Sequence, residues 1–84
     1  MVKHRRDKMV SLRKEKGWLQ KDVVDLLKNN YGIVITESYY GMIEQGVRTP
    51  KLNIALAIAE LFEVNPNEIF FESNNNKKLG NKTA

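Results

Sequence analysis

The stretch from Lys51 to Glu63 sets the terms for the rest of this chain. Wound at 3.6 residues per turn, Leu52, Ile54, Ala55, Leu56, Ala57, Ile58, Ala59, Leu61 and Phe62 leave no continuous polar stripe. A helix that is apolar nearly all round has to be enclosed by other elements, so this one is expected at the centre. Its longest uninterrupted apolar run, Ile54 to Ala59, is far short of the ~20 residues that a membrane span requires. What encloses it must therefore be protein. With 84 residues there is room for one small domain, and a chain of that size hides only about 60% of the surface it exposes when unfolded. The enclosure has to be built from local contacts.

The enclosing segments are marked out by caps and breakers. Lys3 to Lys16 combines strong helix formers with Met9 and Leu12 at i,i+3 spacing. Gly17 stops it at the usual C′ position, after Lys14 and Lys16, whose charges suit the negative end of the helix dipole. Leu19 to Asn30 gathers Val23, Val24, Leu26 and Leu27 on one broad face, and Asn29-Asn30-Tyr31-Gly32 reads as its exit. Ile33-Val34-Ile35 is β-branched but too short to support a sheet without a partner strand. It is expected to be an extended connector whose side chains plug the core.

Thr36 is a good N-cap, with Glu37 in the favoured first turn, Tyr40 and Ile43 at i,i+3 spacing, and Gly46 closing the helix. Thr49-Pro50 supplies a cap and an N1 proline for the apolar helix after it. Asn65-Pro66-Asn67-Glu68 is close to a capping box and opens a short helix containing Ile69, Phe70 and Phe71. From Ser73 onward the chain is polar and uncapped, so residues 73–84 are expected to form a flexible tail. The fold class that emerges is all-α: a compact five-helix domain over residues 1–72, with that tail behind it.

Composition narrows function mainly by exclusion. The absence of cysteine removes disulfides, thiol catalysis and cysteine zinc sites, and a lone His4 leaves no histidine metal cluster or triad. No nucleophile sits beside a base and no carboxylate pair stands out, so neither catalytic nor metal-binding residues are assigned, no cofactor is expected, and the chain is not read as an enzyme. The segment from Met1 to Arg6 does not lead into the apolar stretch of a secretory signal, which points to a cytoplasmic protein with no membrane partner. The net charge is +4 and unevenly spread. Residues 1–16 carry Lys3, Arg5, Arg6, Lys8, Arg13, Lys14 and Lys16 against Asp7 and Glu15, while residues 51–72 carry Lys51 against Glu60, Glu63, Glu68 and Glu72. A basic front with an acidic rear suits a polyanion partner, although a solvated basic helix accounts for the same pattern.

A helix, a Gly-containing turn, a second helix, another turn and a capped third helix make the outline of a helix-turn-helix unit, in which the later helix enters a major groove. Three blocks make the match specific. Leu12-Arg13-x-x-Lys16-Gly17-x-x-Gln20 resembles the first helix and turn of lambda-repressor-like domains, the Cro and XRE class of regulators. Ile43-Glu44-Gln45-Gly46-x-Arg48-x-Pro50 is similar to the segment just after their recognition helix, and Leu56 to Phe70 to their closing segment. The resemblance covers residues 5–71.

The resemblance implies a sequence-specific double-stranded DNA-binding regulator of bacterial or phage type, a repressor, with Thr36–Gln45 as its recognition helix. Gln20 matches a glutamine that anchors a phosphate and buttresses that helix, and Lys21 would add to the phosphate contacts. Thr36, Glu37, Ser38, Tyr39 and Met42 fall where the family touches phosphates and base edges, and Arg48 lies in a loop that approaches the DNA backbone. Arg13 and Glu44 match a buried structural ion pair. Each has a plainer reading beside it: Glu37 as a helix N-terminal acid, Ser38 and Met42 as ordinary surface, Arg48 as a solvated loop. Tyr40 is expected inside and Tyr39 toward the groove, and Trp18 is read as packing. A homodimer on a palindromic site is expected, nucleoid-associated, with a regulatory or toxin protein as a further partner if the fold serves as an antitoxin or another protein-interaction module. Two departures from the family stand out. Leu19 occupies the usual Ser/Thr cap of the second helix, a loss of ~1 kcal/mol that Asp22 partly offsets. The span from Gln20 to Thr36 is also longer than the family's, through a longer helix or an excursion at Tyr31-Gly32-Ile33.

Overall fold

A computed structural model describes residues 5–70. They form five helices: α1 (Asp7–Glu15), α2 (Gln20–Tyr31), α3 (Glu37–Gln45), α4 (Leu52–Phe62) and α5 (Pro66–Ile69). No strand occurs among the described residues. Helix α3 packs on α1 and α2, α4 packs on α2 and α5, and α5 reaches back to α1. The core draws Met9 from α1, Val23 and Leu27 from α2, Tyr40 and Ile43 from α3, and Ile69 from α5. Helix α4 contributes the most to it, with Ile54, Ala57, Ile58 and Phe62.

Enclosure of α4 is nonetheless incomplete. Leu52 is 64% exposed and Leu56 47%, because these two, one turn apart, lie on the flank that neither α2 nor α5 covers. The helix also starts later than Thr49-Pro50 suggests. Its N-cap is Lys51, in extended conformation and without a side-chain cap bond, and the Lys51 carbonyl accepts the Ala55 N–H at 2.9 Å. Pro50 is buried instead, so the proline ring ends the loop inside the fold and does not open the helix. Helix α1 likewise begins at Asp7, after the non-helical Arg5 and Arg6, and Lys3 lies outside the described residues. The Arg6 N–H leaves the helical ladder and donates to the Glu44 carbonyl of α3 at 2.9 Å.

Where α2 lacks a capping hydroxyl, the Asp22 carboxylate accepts the Leu19 N–H at 2.8 Å. That bond supplies one half of a capping box, the half that does not depend on the side chain at position 19. The long span before α3 is filled in two ways. Helix α2 runs on to Tyr31, where Gly32 takes the left-handed conformation (φ 69°), and an extended connector comes next. Ile33 and Ile35 pack against the core from this connector, but Val34 is 76% exposed. Successive side chains of an extended chain point to opposite sides, so only two of the three β-branched residues can plug the core. At α5, Asn65 Oδ1 accepts the Asn67 N–H at 2.9 Å, and Glu68 accepts the Asn65 N–H at 3.4 Å. Phe70 is the C-cap of α5 and not part of it. His4, Phe71 and the 73–84 tail lie outside the described residues.

Truncation should separate the two sides of the connector and of α4. Ile58→Ala, at a fully buried site, is expected to cost about 2–5 kcal/mol, and Val34→Ala to stay within about 0.5 kcal/mol of the parent. Urea unfolding of the two variants measures both; equal losses would mean that Val34 is packed.

Candidate nucleic-acid interface

Helix α3 is held from below by a polar cluster in an otherwise apolar core. Arg13 of α1 donates through Nε to Glu44 Oε2 at 2.6 Å and through Nη2 to Oε1 at 3.2 Å, and both residues are buried. Its Nη1 donates to the Trp18 carbonyl at 3.0 Å. Gln20, the first residue of α2, donates through Nε2 to Glu44 Oε1 at 2.9 Å. A Cβ on Gly41 would meet the Gln20 amide at 3.4 Å, an ordinary contact distance, so the amide rests directly against α3 at this position. Two charged or polar groups from α1 and α2 thus converge on one carboxylate of α3.

The cluster is electrostatically consistent. Desolvation is the largest single influence and raises the Glu44 carboxyl, but the hydrogen bonds from Arg13 and Gln20, the neighbouring Tyr40 and the charge of Arg13 together hold the group below the usual carboxylate range. The bond to Glu44 pushes the Arg13 guanidinium up. Tyr40 is fully buried, and its phenol is pushed far up, first by burial and then by Glu44. Its hydroxyl meets no partner at hydrogen-bond geometry and stays protonated.

With its inner face pinned, α3 turns a different set of residues outward. Thr36 caps it by accepting the Tyr39 N–H on Oγ1 at 2.9 Å, and Glu37 and Ser38 are exposed in the first turn. Tyr39 and Met42 are half-buried, with Tyr39 leaning on the core that Tyr40 enters. Gly46, at φ 84°, ends the helix. Val47 and Arg48 then fold back, both donating to the Met42 carbonyl, at 3.1 and 3.3 Å. This tight return delivers the exposed Arg48 side chain close to the end of α3, where it forms no ion pair among the described residues. Lys21 is exposed and reaches Asp25 at 3.5 Å, a surface contact of little strength. Gln20 is committed to Glu44, while Lys21, Thr36, Glu37, Ser38 and Arg48 face solvent.

Arg6 is the residue whose position the sequence did not reveal. Counted by charge, it belongs to a basic leading stretch expected to face a polyanion. It is instead half-buried, with Nη1 bonded to the carbonyls of Ile43 (2.6 Å) and Arg48 (3.0 Å). Burial lowers its pKa, but a guanidinium remains charged there. Nothing local signals this role, because its acceptors lie 37 and 42 residues away. Other leading bases are paired at the surface: Arg5 with Asp7 at 3.3 Å, Lys8 with Glu68 at 3.2 Å and Lys16 with Glu63 at 3.8 Å. Among the described residues no group of His, Cys, Asp or Glu could hold a metal ion, and no helix is long and apolar enough to cross a membrane.

The ion pair gives a stability prediction with a defined pH sign. Arg13→Ala should cost about 3–5 kcal/mol, since it leaves the Glu44 charge buried without its partner. Because the folded-state pKa of Glu44 is depressed, its contribution is complete above the ordinary value of 4.5. It is lost as pH falls through the lower folded value, where the unfolded chain binds the proton more readily. Glu44→Gln should therefore flatten the acid limb of the stability profile, as measured by thermal unfolding between neutral and acid pH. An unchanged acid limb would remove Glu44 as its source.

A family model described as Helix-turn-helix matches residues 10–69, which takes in most of α1 and all of α2 to α5. No curated protein and no solved structure matches the chain. On a match that spans most of its length, laid over a capped third helix held by α1 and α2, the chain belongs to the Cro/C1-type helix-turn-helix family of DNA-binding domains.

Proposed function

We propose that this domain is a sequence-specific transcriptional regulator, a repressor of bacterial or phage type, that lays α3 in the major groove of double-stranded DNA. The observation that carries this reading is the division of α3 into two faces. Glu44 and Tyr40 fix it from within, while Glu37 and Ser38 stand exposed in its first turn beside the Thr36 cap. A carboxylate there can accept from cytosine N4, and a serine hydroxyl can bond to a base or a phosphate. Tyr39 and Met42 present their open portions beside them. Arg48, Gln20 and Lys21 would set the register on phosphates, which carry no sequence information themselves. Gln20 can do so and still hold Glu44, because its bond to the carboxylate uses one amide hydrogen and leaves the second.

A homodimer fits this reading, because two-fold partners place two such helices in successive major grooves about 34 Å apart. The exposed Leu52 and Leu56 on α4 support a protein contact on that flank, and a second copy is the occupant we assign to it. An antitoxin, whose main business is a protein partner, is the alternative function for the same fold. Stable capture of another protein without any DNA binding at low salt would favour it.

Selection of bound duplexes from a random pool tests binding and reads the site together. A palindromic consensus is expected, and recovery of no consensus would sink the proposal. Glu37→Ala and Ser38→Ala should each change the consensus at particular positions while leaving the fold intact. Arg48→Ala should weaken binding to every sequence and lower the salt dependence by about one phosphate contact, with stability within about 0.5 kcal/mol of the parent. Leu52→Ser with Leu56→Ser should shift sedimentation from dimer toward monomer; a dimer that survives the double substitution uses another face.

A further inference from the structure

Arg6 lies in the most basic part of the chain and next to the loop that carries Arg48, yet its guanidinium turns inward. Nη1 donates to the Ile43 carbonyl at 2.6 Å and to the Arg48 carbonyl at 3.0 Å. The guanidinium carbon sits 5.3 Å from the centre of the Phe70 ring, and the backbone N–H of Arg6 donates to the Glu44 carbonyl at 2.9 Å. One residue therefore ties the last turn of α3, the loop after it and the residue that ends α5. The Ile43 and Glu44 carbonyls belong to the helix end where intrahelical partners run out, and a cation there also meets the negative end of the dipole. The Arg48 backbone is fastened on both sides, by its own N–H to Met42 and by its carbonyl to Arg6. With its main chain held inward in this way, the Arg48 side chain is left exposed.

We propose that Arg6 is a positioning residue for DNA binding: it makes no phosphate contact of its own, and it holds the turn at 46–49 so that Arg48 makes one. The inference rests on the DNA-binding reading of α3 and Arg48. Its chemistry is particular to arginine. The two hydrogens of Nη1 serve the two carbonyls while the guanidinium lies over the Phe70 ring, whereas a lysine ammonium keeps the charge and has donors enough for both carbonyls but lacks the flat face and the fixed angle between donors. A residue that merely met a phosphate would tolerate lysine as a point charge.

Arg6→Lys and Arg6→Gln, alone and combined with Arg48→Ala, separate the two roles when the full chain is titrated with its selected duplex at several salt concentrations. Arg6→Lys should bind about tenfold more weakly and with a salt slope lower by about one phosphate contact, although the net charge is unchanged. Arg6→Gln should lose no more of the slope than Arg6→Lys does. Neither substitution should weaken binding much further once Arg48 is alanine. Parental affinity and slope in Arg6→Lys, or losses that add in full to that of Arg48→Ala, would overturn the proposal. So would loss of the folded circular dichroism spectrum in both single variants, which would make Arg6 a folding residue only. Parent protein that binds no duplex even at low salt would overturn the DNA-binding reading along with it, an outcome distinct from the others.

Discussion

The carboxylate of Glu44 is the constraint to which the other parts of the fold defer. A buried charge must be matched where it sits, and here the match comes from Arg13 on α1 and Gln20 at the start of α2. Such a pair adds little net stability, because desolvation offsets most of the attraction. Its effect is to exclude alternatives. If α3 slid or rotated by a turn, the carboxylate would be left in apolar surroundings, and an unpaired buried charge costs several kcal/mol. The apolar core alone does not impose this, since Val23, Leu27, Ile43 and Ile58 would accept several packings of similar volume. The polar cluster selects one of them, and with it the angle at which Glu37 and Ser38 face outward.

Charge in this protein divides into two kinds that composition cannot separate. Some bases serve the interior or its margins: Arg13 inside the core, Arg6 at the end of α3, Lys16 set 5.5 Å above the Trp18 ring. Others, such as Lys14, Lys28 and Arg48, form no ion pair among the described residues and are exposed. A basic patch counted from the sequence overstates the charge free to meet a polyanion, because the interior has already used part of it. On the proposed reading, specificity comes from few groups, most of them uncharged, on a helix whose own net charge is negative.

How much of this was legible depended on the range of the interaction. Caps are written in four consecutive residues, so Thr36 and Asn65 could be read directly and were found bonded as expected. The assignment of Tyr40 to the interior came from its spacing with Ile43. The Thr49-Pro50 cap failed because a local signal competed with a tertiary demand, the burial of Pro50, and lost. Full enclosure of α4 failed for a different reason: apolar character says that a face can be buried, but not whether a domain this small has enough chain to cover it. The β-branched run at 33–35 points to an extended connector, which is what forms, yet the alternation inherent in extended chain forces Val34 outward. Arg6 was out of reach altogether. Its partners are main-chain carbonyls, which carry no sequence signature, and they lie across the whole of the intervening domain.

Three of the helix-ending turns put glycine in the left-handed region, at Gly17, Gly32 and Gly46, whereas α4 ends on Glu63 at φ 62°. A side chain in that conformation carries a strain of roughly 1–2 kcal/mol, and the exposed contact with Lys16 at 3.8 Å recovers little of it. The position therefore holds a latent increment of stability that one substitution could release. It lies outside α3 and the loop behind it, so drawing on it need not touch the surface proposed to meet DNA. Such a place matters for a small domain: substitutions elsewhere that weaken the fold can be tolerated once the margin at Glu63 has been taken up.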